Sequence, residues 1–546
     1  MACPARVRRA AAEAPGGSVD RKLDKRLERL AASGTTGLLR GGRKGVEKES
    51  LRVTPEGYIS PLPHPRGLGS AMTNRYITTD FSEALIEFVT PAFPALWETI
   101  QFLCDVHQFA FRQIGDELLW ATSMPCRVGD EESIPLAEYG PSNVGRMKKV
   151  YRRGLGYRYG RVMQTIAGVH FNYSLPEHFW REYQDHEGDG GPADAFRSAH
   201  YFGLLRNFRR EGWLLLYLFG ASPAMCKSFL ADDYPTIPEF DAETLFEPYA
   251  TSLRMSDFGY SNRTQAKLNI SLNDLASYVA DLDAAISTPE PAYERIGLLV
   301  DGVHRQLNTN ILQIENEYYS PIRPKRTARS GERPTAALLR GGVEYVEVRA
   351  LDLNPFDPVG VNQNELRFVE CFLIYCLLKD SPALDEAVLA EAGANQTATA
   401  HSGRDPGLFL KRDGRAVLLA DWAGDILADM APVAEILDRG LDGTPYGDTL
   451  ARQRELVDDP DRTPSARLLG ELMDSGASFF EFALETARSH KDYFRTLQPV
   501  NERRQAEFEE EARRSRERQR EVEASETISF EEHVARYYAS AGGQGA

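Results

Sequence analysis

Two periodicities organise the chain. From Gln164 to Ser174 (QTIAGVHFNYS) and from Val343 to Arg349 (VEYVEVR), β-branched and aromatic residues alternate with polar ones, the two-residue repeat of half-buried strands. Such runs are interleaved with amphipathic patterns at helical spacing, which predicts a sheet with helices packed on it. The stretch Ala392–Gly407 (AGANQTATAHSGRDPG), rich in Gly, Ala, Thr and Ser, predicts a loop or linker, and beyond it the pattern is almost wholly helical. Asn501–Glu526 mixes charges of both signs with few apolar anchors and predicts an exposed helix laced by i,i+4 pairs. Gly-rich Ser540–Ala546 predicts a disordered tail. The expected organisation is an N-terminal extension over 1–34, one large core over 35–391 and a helical C-terminal region with a charged tail over 392–546.

Composition narrows the function. Among 546 residues, 80 acidic side chains against 64 basic ones give a formal charge of −16, which argues against nucleic acid or an anionic membrane as the main partner. No apolar run of signal-peptide length lies in Met1–Gly34. The most apolar stretch, Trp213–Met225, is broken by Gly220, Ser222 and Pro223 and falls short of the ~18 residues a membrane span needs, so a cytoplasmic protein is expected. Cys3, Cys104, Cys126, Cys226, Cys371 and Cys376 include no C-x-x-C pair, and buried thiols are expected of them rather than zinc clusters or a dense disulfide framework. Neither a G-x-x-x-x-G-K-[ST] loop nor a strand-associated G-x-G-x-x-G is present, so any nucleotide is held by another route.

Several segments place acids on one face of a regular element. In GVEKESLRV, a strand sets Glu47 and Glu49 side by side, either on a solvent-facing edge or around a cation. In TTDFSEALIEF, capping by Thr79 or Asp80 predicts a helix with Asp80, Glu83 and Glu87 on one stripe; Glu87, between Ile86 and Phe88, needs a partner most. In AGVHFNY, His170 and Asn172 share a strand face opposite Val169, Phe171 and Tyr173. In EYVEVRALD, Tyr345, Glu347 and Arg349 share a face while Val346 and Val348 point to a core; acid and guanidinium either neutralise each other or divide between a cation and a phosphoryl group. Gln313–Arg326 joins the acids Glu315 and Glu317 to a Pro-stiffened basic turn, and Tyr249–Tyr260 offers Arg254 and Tyr260 in a Gly- and Ser-containing loop. Oxygen ligands of this kind suit magnesium, so the residues alone point to Mg²⁺-dependent phosphoryl transfer without a P-loop.

From about Gly41 to Phe356, the motifs GVEKESLRV, GLGSAMTNRYITTDFSEALIEFVTP, LWATSMPC, YGPSNVGRMKKVYRRGL, RYGRVMQTIAGVHFNYSLP, YLFGASPAMC, YATSLRMSDFGY, QIENEYYSPIRPKR and LLRGGVEYVEVRALDLNPF resemble, in order, the bacterial glutamate-cysteine ligase family of the proteobacterial type. The resemblance implies an α+β fold whose curved, largely antiparallel sheet forms a glutamine-synthetase-like cup, with packed helices and a helical C-terminal region. It implies an ATP- and Mg²⁺-dependent ligase core, with ATP phosphorylating the γ-carboxylate of L-glutamate and the amine of L-cysteine displacing phosphate to give γ-glutamylcysteine. Carried over by position, the metal ligands for two or three Mg²⁺ ions are Glu47, Glu49, Asp80, Glu87, His170 and Glu347. Arg349 would face the transferring phosphoryl group, with Glu347 catalytic beside it. Tyr151, Tyr260 and Tyr319 would wall the cysteine pocket, Arg254 would meet a substrate carboxylate, and Asn172, Lys325 and Arg326 would join Arg349 at the nucleotide. Arg152 lies in a matching motif, and Glu83, Glu315 and Glu317 are expected in supporting roles. A monomer without membrane, nucleic-acid or obligatory protein partners is expected. The competing readings are a ligase of the same fold using another amine, and a non-catalytic metal-binding protein on the same scaffold.

Overall fold

The computed structural model describes residues 21–32, 36–230, 237–259, 268–329 and 331–539. The expected disordered tail, Tyr260 and Cys3 lie outside the described residues.

The central sheet is built from β1 (Arg43–Val53), β2 (Ile77–Thr79), β3 (Leu85–Val89), β4 (Leu118–Leu119), β5 (Val169–Ser174), β6 (Ile322–Lys325) and β7 (Tyr345–Leu351). Its order is β6-β7-β5-β1-β3-β2, with β4 on the far end of β1. Every pairing is antiparallel, and the sheet is open. The two strands read from alternation, β5 and β7, are adjacent, and their apolar residues Val169, Phe171, Tyr173, Val346 and Val348 are buried together.

Helices pack around the sheet: α1 (Arg21–Ala32), α2 (Leu96–Phe111), α3 (Asn143–Tyr159), α4 (Ala193–Glu211), α5 (Gln363–Leu378), α6 (Glu386–Ser402), α7 (Leu419–Asp438), α8 (Phe479–Thr496), α9 (Glu502–Ala524) and α10 (Phe530–Ala539). α2 packs on β1 and β3 and is itself covered by α8 and α9. α5 lies between α4 and α7, and α10 docks on α3.

Three expectations about local structure are corrected. Asp80–Glu87 is not a helix but the turn and second strand of a hairpin. The Asp80 amide donates to the Leu85 carbonyl at 3.0 Å and the Leu85 amide to the Ser82 carbonyl at 2.9 Å. β-Branched Ile77-Thr78-Thr79 favours a strand, and the Ser82 hydroxyl accepts from the Ala84 amide at 3.1 Å, a local bond that competes with helix. The expected loop over Ala392–Gly407 is largely helix α6, which starts where Asp385 accepts from the Val388 amide at 2.9 Å and ends before Gly403. Cys126 and Cys226 are not free thiols: they form a disulfide whose Cα atoms lie 5.3 Å apart across 100 residues of sequence. Cys104, Cys371 and Cys376 are free, and burial raises all three thiols, Cys104 to about 11.

The charged helix α9 is also less exposed than its composition predicts. Phe508 enters the core against Phe102 and Phe109, and Ser515 and Glu511 accept the Ser70 and Arg75 amides at 2.9 Å. The helix thus straps the segment leading into β2. Where the strap crosses Gly69, which sits at φ +91°, a Cβ would meet the Ala512 backbone.

On the covered side of the sheet, β1 buries Arg52. Its Nη1 donates to both Glu117 carboxylate oxygens at 2.9 Å, and Nη2 donates to the Leu62 and Glu83 carbonyls at 2.8 and 3.1 Å. Removing one partner of such a pair leaves a charge uncompensated in the interior. Glu117→Ala should lower unfolding free energy by about 3–5 kcal/mol in urea titrations. Cys226→Ser should cost about 2–5 kcal/mol by releasing the long loop its disulfide closes.

Candidate functional site

The antiparallel register brings the polar positions of four strands to one face. Glu47 of β1 stands opposite His170 of β5, Glu49 opposite Glu87 of β3, and Glu347 of β7 opposite both Asn172 of β5 and Arg323 of β6. Directly opposed residues project to the same side, so the hairpin that replaces the expected helix is what sets Glu87 beside Glu49. Between Val348 and Leu351 the β7–β5 register shifts. An irregularity of this kind re-aims side chains, and Arg349 lies within it.

His170 is the hub. Its Nδ1 lies 3.1 Å from Glu47 Oε2, 4.0 Å from Glu347 Oε1 and 3.4 Å from Arg349 Nη1, and its Nε2 lies 3.8 Å from Glu49 Oε1. Asn172 Nδ2 donates to Glu47 Oε1 at 2.9 Å, and the Gly168 amide donates to Glu49 Oε2 at 2.7 Å. Lys325 Nζ and Arg349 Nη1 each stand 3.4 Å from Glu347 Oε1.

Electrostatics separate these acids. Burial and the negative charges of Glu47, Asp80 and Glu49 push Glu87 well above the usual carboxylate range. Burial also raises Glu49. Burial would raise Glu347 too, but Lys325, Arg349, His170 and Arg323 hold it well below the ordinary value. Burial would raise Glu47 as well, but the His170 hydrogen bond and charge together with Lys325 leave it below the ordinary value. One ligand atom from each of Glu47, Glu87 and His170 lies within 4.8 Å of the others. Glu347 Oε2 and Asn172 Oδ1 are buried oxygens without a hydrogen-bond donor. Oxygen-rich, like-charged and short of donors, this donor set fits a hard divalent cation.

A cavity opens beside the acids, lined by Glu49, Asp80, Tyr151, Arg152, Tyr319 and Arg349, with Arg323, Glu317 and Gln164 also on its wall. Asp80, at the hairpin turn, is half exposed and 3.9 Å from Arg152 Nη2. Tyr151 and Tyr319 both reach the wall, and burial raises both phenols. Arg254 stands behind it, buried. Its Nη2 donates to the Arg349 carbonyl at 3.0 Å and its Nη1 is 3.5 Å from Asp352 Oδ1. Gly168 lies so near the Arg254 guanidinium that any Cβ there would collide with it. Arg326 points elsewhere, to the carbonyls of Gly341 and Gly342. Glu83 bridges the His64 and Glu138 amides at 2.8 Å, and Glu315 bonds Arg333 and Thr335 at 2.7 Å, so neither faces the cavity.

Tyr159 and Gln164 also line the cavity, yet sequence reading passed over both. The signal for Tyr159 was present: Tyr151, Arg152, Leu155 and Tyr159 form one stripe of α3.

A second feature supports the Arg254 loop. His401 of α6 places Nδ1 2.8 Å from Glu247 and Nε2 2.6 Å from Asp257. Burial disfavours its imidazolium, but hydrogen bonds to the two carboxylates outweigh that and raise its pKa above the ordinary value. Stability from this clamp is therefore complete below the unfolded-state pKa of about 6.5 and is lost as pH rises through the higher folded-state value. The gap in thermal-unfolding midpoint between wild type and His401→Gln should shrink as pH is raised above that range; a gap independent of pH would contradict the clamp.

Comparison with known proteins gives a consistent picture. Residues 27–399 match the family profile described as glutamate-cysteine ligase. The chain is 50% identical over 522 residues to the glutamate-cysteine ligase of Alcanivorax borkumensis, covering 94% of this chain and 99% of that relative. It is 50% identical over 527 residues to that of Azotobacter vinelandii, covering 96% and 99%. Among solved structures, the glutamate-cysteine ligase of Francisella tularensis in complex with AMP superposes with a TM-score of 0.87 at 38% identity, covering 92% of this chain and 98% of that one. A bifunctional glutathione synthetase from Pasteurella multocida shares the fold at TM-score 0.69 and 24% identity, covering 87% of this chain and 55% of that one.

Proposed function

This chain belongs to the glutamate-cysteine ligase family, and from that premise we propose how its acid-bearing sheet face and the adjoining cavity carry out the ligation of L-glutamate to L-cysteine. The reaction has two steps. The γ-carboxylate of glutamate attacks the γ-phosphorus of ATP and ADP leaves; the cysteine amine then attacks the γ-glutamyl phosphate, phosphate leaves with the C–O electron pair, and the amine gives up a proton. Activation is needed because a carboxylate is a poor acyl donor until one oxygen has become phosphate.

The observation that carries the reading is the convergence of Glu47, Glu49, Glu87, His170 and Glu347 on one sheet face, with Arg349 3.4 Å from both His170 and Glu347. Glu47, Glu49, Asp80, Glu87, His170 and Glu347 are the residues to hold two or three Mg²⁺ ions. When bound, these ions neutralise the phosphates of ATP and polarise the transferring group. Arg349, which lies in the irregularity of β7, stabilises charge developing on the phosphoryl oxygens. Arg254 fixes Arg349 through its backbone carbonyl, which makes it a positioning residue in this structure. Arg152 and Arg323 supply cationic groups for substrate carboxylates, and Tyr151 and Tyr319 give a small thiol side chain an aromatic wall; Tyr260 belongs to the same assignment by sequence. Asn172 and Lys325 act on the nucleotide side through Glu47 and Glu347, and Arg326 by holding the basic turn. The reading includes a cytoplasmic monomer that needs no protein partner.

Purified protein given ATP, Mg²⁺ and L-glutamate should release ADP in a cysteine-dependent manner; equal stimulation by many amines would favour a ligase with another acceptor. Glu347→Gln removes one charge from the acid cluster while keeping side-chain volume; it should abolish turnover in a protein that stays folded at assay temperature by circular dichroism, with a lowered thermal-unfolding midpoint because Lys325 and Arg349 lose the carboxylate they pair with. Full activity in that variant would overturn the metal assignment.

A further inference from the structure

Asp80 stands apart from the other acids of the sheet face. Among the described residues the tight group of metal-type ligands is Glu47, Glu87 and His170, whereas Asp80 sits at the hairpin turn on the cavity wall, its side chain 47% exposed. Its charge bears on Glu49 and Glu87, so it belongs to the same cluster. The contact of its carboxylate with Arg152 Nη2, at 3.9 Å, is too long for a hydrogen bond, and the backbone does most to aim it.

That backbone is held by residues 135–139, which run alongside the turn. The Glu83 amide donates to the Pro135 carbonyl at 3.0 Å, and the Ala137 amide to the Phe81 carbonyl at 3.1 Å. The run ends on Tyr139, which is 2% exposed. Its hydroxyl lies 2.8 Å from the Thr79 carbonyl and 3.0 Å from the Asp80 carbonyl, and it accepts from Thr79 Oγ1 at 3.2 Å. Carbonyls only accept, so the hydroxyl shares its one proton between them. These two carbonyls belong to the planar peptide units on either side of the Asp80 Cα, and fixing both planes fixes the direction of the Cα–Cβ bond between them. Arg152 Nε donates to the Asp80 carbonyl as well. The Arg152 guanidinium lies 4.7 Å from the centre of the Tyr139 ring and Lys148 Nζ 5.0 Å from it, so α3 holds the ring while the hydroxyl holds the turn.

We infer that Tyr139 is a positioning residue for metal binding: by clasping the two carbonyls that flank Asp80, its hydroxyl aims the Asp80 carboxylate at a cation beside Glu49 and Glu87. This role rests on the proposed assignment of Asp80 to magnesium. Magnesium demands close to ideal octahedral geometry with oxygens at about 2.0–2.1 Å, so a ligand on a half-exposed turn contributes only if the turn does not drift. Tyr139 is not on the cavity wall and acts through Asp80.

The test is equilibrium binding of Mn²⁺, a paramagnetic stand-in for Mg²⁺, to the full-length protein without substrates, followed by electron paramagnetic resonance. Tyr139→Phe keeps the ring and its cationic neighbours and deletes the hydroxyl; it should weaken binding by about tenfold or more, the scale on which groups that orient a metal ligand act. Asp80→Asn should weaken binding too, and Tyr139→Phe should add nothing further in the Asp80→Asn background. Thr79→Val, which keeps a β-branched strand residue and removes the hydroxyl that donates to the phenol, should shift binding in the same direction and gives the reading if Tyr139→Phe does not fold. A lowered thermal-unfolding midpoint with unchanged Mn²⁺ affinity in Tyr139→Phe, or in Thr79→Val where the first variant does not fold, would make the tyrosine purely structural and overturn the inference. Equal weakening by Tyr139→Phe with and without the Asp80 carboxylate would overturn it too. If Asp80→Asn leaves Mn²⁺ binding unchanged while Glu347→Gln weakens it, this positioning role alone is overturned; if neither weakens it, the metal assignment of the sheet face is overturned as well.

Discussion

Repulsion among carboxylates on one sheet face is the constraint around which the molecule is arranged. Glu47 and Glu49 of β1 face His170 and Glu87 across two pairings, and Glu347 joins them one strand further on. Like charges this close oppose folding unless something neutralises them. The chain supplies part of the answer: Lys325, Arg349 and His170 hold Glu347 ionised, and the Asn172 and His170 bonds settle Glu47. Arg349 also acts on Glu87, yet burial and the acidic neighbours Glu47, Asp80 and Glu49 together still raise its proton affinity. Such an arrangement persists because the surrounding structure over-determines it, at a cost in stability that a bound cation offsets.

That over-determination comes largely from parts of the chain distant in sequence. β1 is held from behind by the Lys44–Glu370 pair, 2.7 Å apart, which ties the strand to α5, and by the Arg52–Glu117 pair, which ties it to the segment before β4. The C-terminal helices supply the rest: α9 straps the lead into β2, and α10 reaches the segment that carries the cavity residue Glu317. There the Tyr537 hydroxyl donates to Glu315 Oε2 at 3.1 Å and the Tyr538 hydroxyl to the Gln313 carbonyl at 2.7 Å. Glu317, on the same short segment, is held by Arg158 at 3.0 Å and lines the cavity. The helical C-terminal region is thus part of the site's support.

Which features were legible in the sequence follows from the range of the forces that set them. β5 and β7 were readable because one buried face imposes a two-residue repeat locally, and the face shared by Glu347 and Arg349 came with it. The hairpin at Asp80–Glu87 was misread because acids at i, i+3 and i+7 imitate a helical stripe, whereas strand pairing with β1, a contact between distant segments, decided the outcome. Helix α6 was taken for a linker because Ala, Thr and Gly carry little periodic signal; its helix is stabilised by packing on α4 and the segment Trp213–Phe219. The Cys126–Cys226 bridge spans 100 residues with no local signature. The metal-type residues were found individually, but their register and the separation of Arg254 from the cavity wall required the fold.

A comparison within the molecule supports reading the sheet face as a site rather than as a set of structural ion pairs. Elsewhere many buried acids have their own cations, Glu117 with Arg52, Glu315 with Arg333, Glu317 with Arg158, Glu370 with Lys44 and Asp352 with Arg254, while Glu83 and Asp438 accept backbone amides instead. Glu365, at the first turn of α5, where its amide is capped by Asn362, is raised by burial and by the nearby acids Asp357 and Asp352. At the β1–β3–β5–β7 face, by contrast, Glu47, Glu49, Glu87 and Glu347 gather around fewer cationic groups than there are acids. Each uncompensated buried charge costs several kcal/mol, on the order of a domain's whole net stability, so such a gathering calls for neutralisation. On the proposed reading, positive charge from outside the chain neutralises the surplus, beside Arg349, the group proposed to face the transferring phosphoryl.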